Sequence, residues 1–497
     1  MKFHGLLTLT AFLAALGAGG CAIGPDYVKP APIGSVAMAA WVAPIPHDGT
    51  SVELVNWWQR WSDPVLVELL AQAQRQNRTI AQSSARIAQA RAAYRAATSA
   101  LLPNAAANAS DNRSKGGQGE PSATGNTLGQ NTQSGQFSSG STEVQRSRSL
   151  SLDAAWELDV VGGARRGREA ASQRALARDA DWHDARVSVA AEVAATYVNL
   201  RACEVLVAGY RIDVASRAET ARLTKLKADA GFEAPANAAL TEASAAEARS
   251  RLAQQQANCD LSIKSLAELT ALDETQLRAK LMASTAKLPS PAGFAISAVP
   301  AAAISQRPDI ASAERELIAA SNDIGLFMAD RFPRISLSGS IGFSENSSSG
   351  YNSRGRTWSY GPAISMPIFD MGRRAANVDG ARARFEESLA AYEGKTLHAV
   401  REVEEALVRL DSAARREKDA NTALAGYQQF LAAAEARVRA GAGNLTELEE
   451  ARRAVVQAQG VAVGVSLDRL TGWIGLYKAV GGGWSEGIPS NEVKATR

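Results

Sequence analysis

The chain has little of what enzymes commonly use. Among 497 residues there are three cysteines and four histidines, and aromatic side chains make up only 6%. The histidines stand at 4, 47, 183 and 398, so no two share metal-ligand spacing. No Cys-x-x-Cys, phosphate-cradling glycine loop or nucleophile elbow occurs. Catalysis is therefore not expected, and no metal or cofactor is required. Charge of one sign is missing as well. The 54 basic residues face 51 acidic ones, which removes the electrostatic case for nucleic acid.

Long apolar runs are also absent. The run from Leu6 to Leu16, behind Lys2 and His4, is shorter than the roughly 20 residues a spanning helix needs. A basic front, a short apolar core and a small-residue exit read as a secretory signal over residues 1–20. Ala18-Gly19-Gly20-Cys21 resembles the box cut by lipoprotein signal peptidase, with Ala18 where Leu is usual. Cys21 is then the expected site of a covalent lipid, which holds a chain at a membrane without a transmembrane helix.

What is present is a pattern written twice. A strand-like segment beginning at Pro103 has a partner beginning at Pro333, and Leu158-Asp159-Val160 has a counterpart in Phe369-Asp370-Met371. Glycines and arginines follow each, and then a helical run of over sixty residues ends at Gly231 and again at Gly441. A second helical run returns each time, and a shorter helical stretch precedes each strand pair, about 63–98 and 308–330. The expected order is helix, strand, strand, long helix, long helix, twice. It divides the chain into an N-terminal segment 21–60, a first repeat 61–284, a linker 285–300, a second repeat 301–478 and a tail 479–497. The helical hairpins are expected over 164–271 and 372–478.

The strands are expected near 103–113, 147–158, 334–344 and 357–368, each with a two-residue period. Leu150, Leu152, Ala154, Trp156 and Leu158 share one face, with Ser149, Ser151, Asp153 and Glu157 on the other. In the fourth segment Trp358, Tyr360, Pro362, Ile364, Met366 and Ile368 share a face. Such alternation fits a membrane barrel or a half-buried soluble sheet. The polar segments 114–142 and 344–356, read as long loops, favour the barrel. Four strands cannot close one, and open edges are not tolerated in lipid. The chain is therefore expected to join copies of itself, most simply three. Asp153, Glu157 and Asp159, near a strand end, read as lumen-facing acids.

No proline interrupts 164–230 or 372–440, so each long helix is free to run unbroken, roughly 100 Å if straight. Cys203 and Cys259 lie 28 residues before and 28 after Gly231, one on each arm of the first hairpin. Either they meet as a disulfide or they are two unpaired small core residues; the disulfide is the expectation.

Cys21-Ala22-Ile23-Gly24-Pro25-Asp26-Tyr27 resembles the mature start of TolC-like outer-membrane factors, in their NodT-type lipoprotein branch. Trp57-Trp58 with Asp63-Pro64 is similar to the family's opening motif. Arg307-Pro308-Asp309-Ile310, Ala313-Glu314-Arg315 and Asp323-Ile324-Gly325 resemble the start of its second repeat. Phe332-Pro333 and Pro367-Ile368-Phe369-Asp370 with Gly372-Arg373 complete the set. The resemblance implies a mainly α fold with a small β membrane part. It implies a homotrimer in which a twelve-stranded β-barrel continues into an α-helical tunnel, with a collar from the shorter helices and the segments 22–60 and 479–497. It also implies docking to a periplasmic adaptor and an inner-membrane RND transporter, with outer-membrane lipid around the barrel.

In that family acidic residues just after the second tip glycine narrow the periplasmic end. Aligning on Gly441 puts Glu447 and Glu450 there, on one helical face, whereas the plainer reading is a solvated acidic first turn favoured by the helix dipole. Asn237 stands at the equivalent place after Gly231, so the two tips differ in charge. Gly443 occupies the position of an arginine that helps lock the best-known member. Passive efflux of small molecules is the function implied. A duct for type I protein secretion and a lipid-anchored periplasmic adaptor are the alternatives, the second disfavoured because adaptors carry one hairpin and this sequence carries two.

Overall fold

The computed structural model describes residues 22–38, 40–44, 54–115, 144–291, 293–294, 303–348 and 351–484. Cys21 and the signal segment lie outside these residues, as do 485–497 of the tail and 295–302 around the second part of the linker. In chain order the elements are α1 (Pro64–Gln76), α2 (Arg78–Ser99), β1 (Asn104–Lys115), β2 (Val144–Leu158), α3 (Gly163–Asp229), α4 (Pro235–Thr270) and α5 (Glu274–Leu281). They continue as α6 (Pro308–Ala329), β3 (Arg334–Ser348), β4 (Tyr351–Ser365), α7 (Arg373–Arg439) and α8 (Leu445–Ala479). The duplication is visible in the lengths. Helices α3 and α7 each have 67 residues, and α4 and α8 have 36 and 35.

Three expectations about secondary structure need correction. The stretch 63–98 is two helices, broken where Asn77 takes an extended backbone (ψ 133°). The Asn77 amide holds the break by donating to Leu269 O (2.9 Å) and accepting from Thr79 N (2.9 Å). Residues 344–348 and 351–356 are strand, not part of a long loop, because β3 and β4 pair in register out to Ser348 and Tyr351. Finally β4 ends at Ser365, so Met366 and Ile368 leave the strand face assigned to them. Pro367, lacking an N–H, cannot extend the ladder.

The chain forms two compact units that cut across the duplication. The first comprises residues up to Tyr27, Arg91–Ser172 and Ile318–Phe385 and holds all four strands of the described residues. They make one antiparallel sheet in the order β1-β2-β3-β4. All helical connections leave from one end of this sheet; residues 116–143, which make up most of the expected first loop, and 349–350 lie outside the described residues. Both strand-to-helix corners are built alike. The Asp159 carboxylate accepts from Ala164 N (3.1 Å) and Arg165 N (2.9 Å), and Asp370 accepts from Gly372 N (3.1 Å) and Arg374 N (3.3 Å). Gly162 and Gly372 supply the left-handed backbone of each corner (φ +80° and +84°). Asp159 is thus a helix cap rather than a lumen-facing acid.

The motif residues between Ala22 and Tyr27 pack in the same unit. A Cβ on Gly24 would strike the Gly325 backbone, and one on Gly325 would meet Ile23 O at 2.7 Å. Beside this crossing Arg166 reaches Asp26 (2.7 Å) and Asn322 (3.1 Å).

The second unit comprises Val28–Ala90, Gln173–Leu317 and the residues from Glu386 onward. Its core is a cluster of Trp57, Trp58, Trp61, Phe294, Trp473 and Tyr477, with Trp57 stacked on Tyr477 at 5.1 Å between ring centroids. Asp63 caps α1 through Val65 N (3.0 Å) and Leu66 N (3.2 Å), and its second oxygen accepts from the buried Tyr197 hydroxyl (2.7 Å). Burial pushes that phenol up to about 12. Arg307 is buried and donates to Asp309 (2.8 Å), Glu402 (2.7 Å) and Ala479 O (2.8 Å). It thereby joins α6, α7 and α8. Nearby, burial and then the Asp309 charge push the Asp184 carboxyl up to about 6, against the pull of Arg307 and Lys478.

Candidate functional site

The sheet separates two chemistries. In register, the face containing Leu150, Leu152, Ile341, Trp358, Tyr360 and Ile364 is apolar, yet its side chains are exposed, Leu150 by 60% and Tyr360 by 79%. An exposed apolar band of this kind requires a covering that is not water. The reverse face is hydroxyl and amide, with Asn108, Ser110, Ser149, Ser151, Ser338 and Ser340 among its residues. Asp153 on that face is held by Asn108 (2.7 Å) and Ser151 (2.8 Å), and Glu157 lies 3.9 Å from Arg334 towards the helical end. The expected opposition of Leu150 to Leu158 against Ser149, Ser151, Asp153 and Glu157 is the geometry found. Strands β1 and β4 do not pair with each other, which among the described residues leaves both edges of the sheet open.

The hairpin ends in the second unit are the other place where function is expected. Both long helices stop in the same turn. Phe232 N bonds Lys227 O (2.8 Å) with Gly231 N on Ala228 O (3.0 Å), and Ala442 N bonds Arg437 O (3.0 Å) with Gly441 N on Val438 O (3.1 Å). Gly231 and Gly441 carry the positive φ this motif demands (+77° and +75°). Their surroundings differ. In the first, Glu233 accepts from Asn237 (2.7 Å), which, ahead of the Coulomb effect of Lys227, holds the Glu233 carboxyl below its ordinary range. In the second, Asn444 caps α8 through Thr446 N (2.9 Å). A Cβ on Gly443 would come within 2.6 Å of Val438 N, so this glycine is there for a close backbone approach.

Glu447 and Glu450 are not alike in this chain. Glu447 is half-buried and paired across the hairpin with Arg437, while Glu450 is exposed. The acid between them, Glu449, is the one drawn inside. It accepts from Arg217 on α3 (2.6 Å) and Arg452 on α8 (2.8 Å), and Ser244 on α4 bonds the same carboxylate. Arg217 also binds Asp213 (2.8 Å), and Arg452 reaches Ser216 (2.7 Å) and Thr220 (3.0 Å). Two guanidinium groups and two carboxylates, nearly free of solvent, thus tie the first hairpin to the second. Sequence reading missed this cluster. Its local signal was the i,i+4 pair Asp213–Arg217 and the i,i+3 pair Glu449–Arg452, which resemble ordinary surface pairs.

Cys203 and Cys259 are joined by a disulfide between α3 and α4, with Cα atoms 5.6 Å apart. Among the described residues no cluster of His, Cys, Asp and Glu is placed to hold a metal ion, and no helix is long and apolar enough to cross a membrane.

Comparison with known proteins agrees with this arrangement. A family model described as outer membrane efflux protein matches residues 69–272 and 299–482. The sequence is 30% identical to the outer membrane protein OprJ of Pseudomonas aeruginosa over 96% of each chain. It is 28% identical to the solvent efflux pump outer membrane protein SrpC of Pseudomonas putida, over 98% of this chain and 99% of that one. The solved structure of the outer-membrane channel OprN superposes with a TM-score of 0.78 at 28% identity, covering 93% of this chain and 100% of that chain.

Proposed function

The chain belongs to the outer membrane efflux protein family, and we propose that three copies of it form a passive duct from the periplasm through the outer membrane to the outside. The observation that carries this reading is the sheet. One face is apolar and exposed, the other is lined with hydroxyls and amides, and both edges are open. In lipid every backbone donor and acceptor must be paired, so the edges have to meet edges of other copies. Three copies of a four-stranded sheet give twelve strands, enough to enclose water. The reverse face then lines the passage and offers neutral hydrogen-bonding groups to whatever moves through.

On the periplasmic side the hairpins present their tips to a periplasmic adaptor and an RND-type transporter. Cargo is selected upstream; relatives named as solvent and toluene efflux components suggest small organic molecules. Cys21 carries the lipid anchor. Glu447 and Glu450, repeated by three-fold symmetry, form the narrow acidic end of the tunnel, with Arg437 moderating the field of Glu447.

The deciding experiment is single-channel recording of the purified mature protein in planar bilayers, alongside gel mobility with and without boiling. A heat-dissociable trimer with cation-preferring conductance is expected. Glu447→Ala with Glu450→Ala should raise that conductance and weaken its cation preference. A monomer that never inserts would overturn the duct, and an unaltered conductance in the double variant would remove the constriction.

A further inference from the structure

The apolar face of the sheet ends in a band of charge. At the end away from the helices, the same face continues as Arg113 and Lys115 on β1, Arg146 and Arg148 on β2, and Arg354 and Arg356 on β4. Two acids share it, Asp111 and Glu345, so six cations against two anions leave four net positive charges per chain. The reverse face at the same level is neutral, with Asn112, Ser147, Asn346 and Ser353. The charge therefore lies on the side of the exposed apolar band and not on the hydroxyl side.

The acids hold part of this band in place. Asp111 binds Arg146 (2.6 Å), Glu345 binds Arg354 (2.8 Å), and Arg148 lies between them, 3.5 Å from Asp111 and 3.8 Å from Glu345. A guanidinium fixed along one edge keeps other N–H groups for a second anion and has already lost rotamer freedom. The remaining cations are exposed, and among the described residues Lys115 and Arg356 have no side-chain hydrogen-bond partner. Arg113 also stands directly opposite Arg146 in the β1–β2 register. Like charges directly across a strand pair repel, and an anion bound between them relieves the repulsion. Neighbouring strands lie about 4.8 Å apart, so cations on adjacent strands can share one phosphate.

We propose that this band binds the phosphate groups of phosphorylated glycolipid in the outer leaflet, gripping the headgroups while the apolar band below contacts the acyl chains. The proposal rests on the duct reading, which puts this end of the sheet at the cell surface. Closure of three copies sets β4 of one beside β1 of the next, joining the separate bands into a girdle. Zwitterionic phospholipid does not satisfy a net excess of cations, whereas a bis-phosphorylated headgroup does.

The test uses the full-length mature protein in detergent, titrated with bis-phosphorylated lipid A and with the same lipid after enzymatic removal of its phosphates. Binding is read by native mass spectrometry. The parent is expected to prefer the phosphorylated lipid by at least about tenfold, since each surface cation near an anionic lipid contributes about fivefold. Arg113→Gln with Lys115→Gln and Arg356→Gln should abolish the preference, and Arg356→Gln alone should reduce it by about threefold to fivefold. A control with the same loss of charge on α3 and α4, Arg222→Gln with Lys225→Gln and Arg249→Gln, should keep it. Equal affinity of the parent for both lipids overturns the proposal, as does an equal loss in the control. If the triple variant fails to assemble, the single Arg356→Gln decides: an unreduced preference overturns the proposal. A conducting trimer indifferent to lipid phosphate refutes the band alone, whereas a protein that neither trimerises nor conducts refutes the duct.

Discussion

Replacing Glu449 by Ala strands two guanidinium groups in the interior. Arg217 and Arg452 are almost fully buried, and each donates to a different oxygen of the Glu449 carboxylate, at 2.6 and 2.8 Å. Removing one partner of a buried ionic cluster costs about 3–5 kcal/mol, because the remaining charge can neither be rehydrated nor paired. Asp213 compensates only Arg217, through its Nε. The loss should be felt locally, where α3, α4 and α8 meet, as easier opening of the hairpin ends. Hydrogen exchange by mass spectrometry on the detergent-solubilised trimer reads this directly. Amides in 213–224 and 445–455 should exchange about two to three and a half orders of magnitude faster in Glu449→Ala, since each 1.4 kcal/mol is about a factor of ten. Glu447→Ala is the internal comparison. Its pairing with Arg437 is between side chains 35% and 48% exposed, which is worth less than about 1 kcal/mol, or less than about fivefold in exchange. If the two variants exchange alike, the buried cluster is not what fastens the hairpins, and the reasoning is wrong.

Three further outcomes are expected. The Asp184 carboxyl sits at about 6 in the folded chain against an ordinary 3.8, so the folded state holds its proton more tightly than the unfolded one. Its contribution is full below about pH 4, declines as pH rises through about 6 and is flat above. Asp184→Asn should abolish that decline and stabilise the protein at neutral pH by about 2 kcal/mol after allowing for partial exposure, read as the shift in guanidinium midpoint; an unchanged pH profile would refute the assignment. Gly443→Ala should loosen the second tip by about 1–3 kcal/mol through the clash with Val438 N, seen as faster exchange at 437–446, and normal exchange there would show that the turn relaxes freely. Cys203→Ser with Cys259→Ser releases a loop of sequence separation 56 and should cost up to about 4 kcal/mol in unfolding free energy. Denatured, unreduced parent protein should show no reactive thiol at either position; two thiols would exclude the bond.

The parts of the fold legible in the sequence are those fixed by local periodicity. The two-residue alternation of 149–158 places Leu150 and Ser151 on opposite faces whatever the rest of the chain does. Glycine endings located both hairpin tips because only a left-handed residue closes such a turn, as Gly231 and Gly441 do. Tertiary pairing is what escaped. Residues 352–356, Asn-Ser-Arg-Gly-Arg, have little strand propensity of their own and join β4 because β3 lies beside them. Asp159 looked like a pore acid, yet its position before Gly162 makes it the cap of α3. Nor does anything in Glu447-Leu448-Glu449-Glu450 mark Glu449 as the buried acid, since its partner Arg217 lies 232 positions away. Motifs such as Gly24 and Gly325 were recognisable as family marks, and their physical reason, two backbones crossing in contact, needed three dimensions.

Equal helix length in the two copies restricts how this chain can drift. Helices α3 and α7 both have 67 residues, and the hairpins they begin are fastened to one another through Arg217 on α3 and Glu449 on α8. Seven residues inserted into α3 alone would displace its tip by about 10 Å and pull that fastening out of register. To restore it, α4, α7 and α8 would each need the same insertion. Side chains can therefore be exchanged one at a time, whereas reach can change only in matched, simultaneous steps. The molecule is free to diversify in chemistry while remaining, in length, a gauge set once for all four long helices.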